Sequence, residues 1–129
     1  MKVVLAVVVA AAAVFGVSSV WYVVFAKSRS ALLGSPASAE EKPSPAKVLL
    51  ELGRSALVAA VIAGLASQLE LTSVGPVLVL GLALFAGFPF VLLTGSVIWD
   101  GVNPRLAAIH AGDWLLKLLV ISLVVGLFR

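Results

Sequence analysis

The chain of 129 residues has no cysteine, one histidine, one tyrosine and little charge, only 12% of its residues being Asp, Glu, Lys or Arg. Without cysteine there are no disulfide staples, thiolate metal sites or thiol nucleophiles, and one histidine does not build a metal cage. Scarce charge argues against an ordinary soluble domain, in which about a quarter of residues are charged. What fills the chain is apolar: 62% hydrophobic residues and a mean hydropathy of +1.20. At about 20 apolar residues per crossing, the length holds at most five or six membrane spans, with no room for a large soluble catalytic domain. The net charge of +3 comes from basic residues beside hydrophobic runs. They form no stripe that tracks a phosphate backbone, so nucleic acid is not an expected partner.

The apolar residues fall into four runs. Residues 3–26 carry no charge and outrun the roughly 7 to 15 apolar residues of a signal-peptide core, which predicts an uncleaved first helix. Residues 27–47 switch to Ser, Ala, Pro and mixed charge, and Pro36, Pro43 and Pro45 oppose regular structure there; a flexible connecting loop is expected. The second span, 48–69, is the least hydrophobic and carries Glu51 and Arg54 in its first turns. A tight reversal at Glu70 to Ser73 leads to the third, 74–99, which has no charge. Pro89 lies deep inside it, lacking an N–H and crowding the carbonyl of Phe85, so a kink is expected around Gly87 and Pro89. A short turn, Asp100 to Arg105, precedes the fourth span, 106–128. Such long unbroken runs exclude the alternating strands of an outer-membrane barrel. The expected architecture is a single membrane domain over 1–129: an all-α, four-transmembrane-helix bundle with its third helix kinked at Pro89.

The basic residues are distributed unevenly. Lys27, Arg29, Lys42, Lys47 and Arg105 lie on the side of the 27–47 loop, against Lys2 and Arg129 on the other. The positive-inside rule then places that loop in the cytoplasm and both termini outside, in a multi-pass protein of the plasma membrane. Trp21, Tyr22 and Trp99 would line the cytoplasmic interface as belt aromatics.

Of the fifteen charged residues, eleven fall in loops, at helix ends or at the termini. The remaining four, Glu51, Arg54, Asp113 and Lys117, carry no net charge together. His110, Asp113 and Lys117 recur at spacings of three and four, which puts them on one helix face. Lys117 lies about 18 Å from the far end of a core roughly 30 Å thick, too deep for snorkelling alone to solvate it. A charge at that depth costs at least about 2.5 kcal/mol, and Asp113, one turn earlier, is a natural partner. Arg54 and Asp113 enter from the same side at matching depth, and the two are expected to approach each other across helices. Glu51 is expected simply to pair with Arg54. Small residues at every fourth position, Ala56, Ala60 and Gly64 in the second helix and Ala108 and Gly112 in the fourth, allow close helix packing within the chain or between copies. Ala12 and Gly16 repeat the spacing in the first.

The close of the first helix, with Gly16, Trp21, Tyr22, Phe25 and Lys27, Gly87 and Phe88 in the third, and the four-span layout together resemble a bacterial family of small membrane proteins catalogued as domain of unknown function 1761. The resemblance covers most of the chain. It implies a helical membrane fold and an envelope location, and no activity.

Two functions fit these observations. In the first, the charges are a paired interhelical lock in a non-catalytic component that associates with itself or with a larger complex. In the second, the chain is a small proton-linked transporter or channel, with Asp113 and Lys117 carrying the proton and the kink acting as a hinge. An enzyme is the weakest reading, since no nucleophile, metal cluster or phosphate loop accompanies His110 and Asp113. The lipid bilayer and a second copy of the chain are the expected partners, and no cofactor is expected.

Overall fold

The computed structural model describes residues 2–33 and 44–129. Six helices follow one another: α1 (Lys2–Val24), α2 (Ala26–Leu33), α3 (Pro45–Gln68), α4 (Val74–Gly87), α5 (Pro89–Asp100) and α6 (Pro104–Leu127). There is no strand among the described residues. Four helices are long and apolar enough to cross a membrane: Lys2–Val24, Pro45–Gln68, Val74–Asp100, in which α4 and α5 form one interrupted rod, and Pro104–Leu127.

Local chemistry explains where these helices begin and end. Ser44 caps α3 by accepting from the Lys47 N–H at 3.3 Å, and Asn103 caps α6 by accepting from the Arg105 N–H at 2.9 Å. In both, proline follows at the first helical position, where its missing N–H costs nothing. The turn between α3 and α4 closes with Glu70 at φ 55 while the Leu71 N–H bonds back to the Ala66 carbonyl at 2.9 Å. That is a Schellman closure in which glycine is the usual residue. The kink expected at Pro89 is present: Phe88 leaves helical geometry with φ −122 and ψ −78, and α5 starts afresh at Pro89.

One boundary differs from the sequence reading. The segment 27–47, expected to be a flexible loop, is helical through Leu33 and again from Pro45. The Arg29 N–H bonds the Phe25 carbonyl at 2.8 Å, and Lys27-Ser-Arg-Ser-Ala-Leu-Leu contains no proline to stop the helix that α1 began. Residues 34–43 of the expected loop lie outside the described residues.

The core is built from small side chains. Ala6, Ala10, Val14 and Ser18 form the buried stripe of α1, and Ser55, Ala59, Ala63 and Ala66 that of α3, with Ile62 among them. Many large apolar side chains point outward, among them Val23, Leu57 and Leu92, while Val77, Leu118, Ile121 and Val125 join Val14 and Ile62 in the core. Helix α6 is the centre, with nine buried residues, and it touches each of the other five helices. Helices α4 and α6 meet closely because glycines stand at the contact. A Cβ on Gly81 would run into the Ser122 side chain, and one on Gly126 would lie 2.8 Å from the Val74 Cα.

The small-residue faces read from the sequence are only partly those used inside the chain. Ala60 and Gly64 are exposed and Ala56 is half-buried, while the packed face of α3 runs through Ser55, Ala59 and Ala63, the same spacing one residue out of phase. Ala12 and Gly16 also face outward, as does Ala108. Gly112 does serve close packing, since a Cβ there would strike the Trp21 ring.

Candidate functional site

A group of polar residues from the long helices gathers where α1, α3 and α6 meet. Asp113 is buried, 1% exposed, and its carboxylate is held from two helices. The Ser18 hydroxyl of α1 donates to Oδ1 at 2.6 Å, and the Lys117 ammonium, one turn further along α6, stands 3.0 Å from Oδ2. The Tyr22 hydroxyl lies 3.4 Å from the same Oδ2 and 2.8 Å from Nδ1 of His110.

Lys117 is 7% exposed and carries the network to α3, where its Nζ reaches Glu51 Oε1 at 3.3 Å. Its Cα lies about 20 Å along α6 from Pro104, counting about 1.5 Å per residue. Helical side chains lean toward the N-terminus, so the long stem brings the ammonium back toward Glu51. The Trp114 ring supplies a further face for the cation at 5.0 Å. Glu51 Oε2 in turn accepts from Arg54 at 2.8 Å.

All five residues expected to form an intramembrane polar cluster, His110, Asp113, Lys117, Arg54 and Glu51, therefore fall on one connected string. The expected contact between Arg54 and Asp113 is not made. Helical phase explains it: Glu51 lies four residues before buried Ser55 and shares its face, whereas Arg54, one residue before Ser55, is turned about 100° away. The Arg54 side chain stays 59% exposed, and Lys117 takes the interhelical role.

Two participants, Ser18 and Tyr22, come from α1, and the sequence reading does not place them in the cluster. Trp21 and Tyr22 were expected as interface aromatics, but Trp21 donates its indole N–H to the Ile109 carbonyl at 2.9 Å and Tyr22 bonds His110. Ser18, an uncharged residue inside the first apolar run, donates to Asp113. Its signal was present, since Ser18 and Tyr22 extend the four-residue stripe of Ala6, Ala10 and Val14. Trp99 lies apart, 85% exposed at the end of α5, where it bonds nothing in this string.

The arrangement can hold charge and hydrogen bonds without outside help. Asp113, Lys117, Glu51 and Arg54 alternate in sign along the string, and each charged group lies within 3.3 Å of an opposite one. The buried hydroxyls of Ser30, Ser55 and Ser122 have no hydrogen-bond partner among the described residues. Cavities also lie outside this string among the described residues. One, about 530 Å³, lies between the end of α1, α2 and the start of α6; another, about 330 Å³, lies between the Phe88 break and Trp114.

No curated protein and no solved structure matches the chain. A family model does, over residues 5–126. The first-helix aromatics and the Gly87–Phe88 break both lie within that match, and the chain belongs to the family described as protein of unknown function (DUF1761).

Proposed function

We propose that the chain inserts into a bacterial inner membrane as a four-span bundle and acts there as a non-catalytic component, associating with itself or with a larger complex. Small side chains inside and large apolar ones outside support the insertion, since soluble monomers rarely expose apolar surface on this scale. The basic residues at the α2 and α6 end favour placing that end in the cytoplasm and both termini outside. A reporter fused to Arg129 and active only in the cytoplasm would refute that orientation.

The observation that carries the non-catalytic reading is the pairing of both buried charges within the chain. Asp113 and Lys117 face each other and are completed by Ser18 and Glu51, which leaves neither of them without a counter-charge to recruit a solute. A lock of this kind is replaceable: exchanging a buried pair for packed apolar residues is often neutral or stabilising. Replacing Asp113 and Lys117 together by Leu should leave insertion and assembly unchanged, read by membrane fractionation and by cross-linking. Loss of assembly in a variant that still folds would overturn the reading.

One observation favours a proton-linked transporter as a second reading. The Tyr22 hydroxyl links His110 Nδ1 at 2.8 Å to Asp113 Oδ2 at 3.4 Å, so that an imidazole and a carboxylate are joined through one O–H whose bond to His110 reverses with the tautomer of the ring. Proton flux into liposomes holding the purified chain, abolished by Asp113→Asn in a folded protein, would establish this reading over the first.

A further inference from the structure

The groove beside the end of α1 has a composition that the polar cluster does not explain. Its walls are apolar, built from Trp21, Phe25, Leu32, Ala108 and Ile109, and its polar lining side chains are Ser28 and Arg105. Trp21 has already committed its indole N–H to the Ile109 carbonyl, so its ring offers the groove an apolar wall alone. The volume of about 530 Å³ falls in the range of organic-ligand sites, roughly 300–1,000 Å³, and far exceeds the space one ion needs. Around the mouth the charge has one sign. The charged lining residue is Arg105, exposed in the first turn of α6; Lys27 and Arg29 are exposed on the neighbouring α2, Arg29 with its guanidinium 5.4 Å from the Tyr22 ring centroid, and among the described residues no carboxylate lies within salt-bridge distance of the three.

We infer that this groove binds one anionic phospholipid, its acyl chain lying between the end of α1 and the start of α6 and its phosphate resting on Arg105 at the mouth. The inference rests on the membrane reading above, under which a phospholipid is the molecule present at high concentration beside the groove. Charge complementarity selects the anionic headgroup, because basic clusters at the cytoplasmic surface attract anionic lipid with about a fivefold gain per cation. The Ser28 hydroxyl is the second polar group at the site, able to donate to a phosphate oxygen.

The test uses the full chain in detergent, titrated with phosphatidylglycerol or phosphatidylcholine and examined by native mass spectrometry. The wild-type chain should retain one phosphatidylglycerol at least fivefold more tightly than phosphatidylcholine. Arg105→Gln should erase most of that preference, and Ala108→Trp, which fills the apolar wall, should weaken both lipids while the chain stays folded. Equal retention of the two lipids, or a preference indifferent to both substitutions, overturns the inference. So does a lipid-free dimer that Ala108→Trp dissociates, which would mean that a second copy fills the groove. A chain that stays monodisperse without detergent refutes the membrane reading itself, and that outcome is seen before any lipid is added.

Discussion

The polar cluster makes an asymmetric prediction: removing Lys117 should do more damage than removing Asp113. Lys117→Leu strands the Asp113 carboxylate, 1% exposed, with hydroxyls at 2.6 and 3.4 Å and no cation. Asp113→Leu leaves the Lys117 ammonium with Glu51 still 3.3 Å away. Breaking a buried pair and leaving one charge uncompensated costs about 3–5 kcal/mol, and that full range applies to Lys117→Leu. For Asp113→Leu the charge keeps a partner, and the loss of the Ser18 bond adds only about 0.6 kcal/mol, the average for interhelical hydrogen bonds in membranes. The loss for that variant should therefore fall below the range of about 3–5 kcal/mol expected for Lys117→Leu. The double variant leaves Glu51 with Arg54 and should return to within about 1 kcal/mol of wild type. The coupling between the two sites is then large, several kcal/mol, where independent sites would add. SDS-induced unfolding in mixed micelles, followed through tryptophan fluorescence, reads all three. Equal destabilisation by the two single variants, or a double variant equal to their sum, refutes the reasoning.

Three further perturbations test the packing around the cluster. Gly112→Val should push Trp21 off α6 and cost about 1–3 kcal/mol by overpacking, seen as lower thermal stability and a shifted tryptophan emission. Glu70→Gly should stabilise the chain by about 1 kcal/mol, since the position holds φ 55, where a side chain is disfavoured; a melting temperature at or below wild type would count against it. Arg54→Ala should cost under about 1 kcal/mol in the same assay because the side chain is largely exposed and its ion pair is screened.

The four long helices are legible because hydropathy and length act one residue at a time: an uncharged run such as 74–99 needs no knowledge of its neighbours. The Pro89 break is equally local, a missing N–H within one turn. Contacts between helices are harder to read, since they require azimuth as well as depth. Arg54 and Asp113 share a depth, but Glu51 shares the inward face with Ser55, and the ion pair to Lys117 follows that face. Small residues misled for the same reason. In an alanine-rich helix two adjacent phases, Ala56–Ala60–Gly64 and Ser55–Ala59–Ala63, both satisfy the spacing, and only tertiary packing chooses between them. The close approaches at Gly81 and Gly126 depend on Ser122 and Val74, residues far away in sequence.

These choices share a physical cause. A bundle whose core is mostly alanine, glycine and serine draws little orientation from the shape of its side chains, because helices with small faces can slide and rotate past one another at small cost. Directional contacts remove that freedom. The Ser18–Asp113 hydrogen bond sets α1 against α6, and the Lys117–Glu51 ion pair sets α3 against α6. A one-residue rotation of α3 would bring Arg54 rather than Glu51 toward Lys117, placing two cations together, and the repulsion would exclude that register. The opposite rotation, which would turn the Ala56–Ala60–Gly64 phase inward, would carry Glu51 off the α6 face and break its ion pair with Lys117. The charges therefore select between two packings that the small residues alone leave nearly equivalent, which accounts for a neutral set of four in a chain whose other charged residues lie in α2, at helix ends, between helices or at the termini.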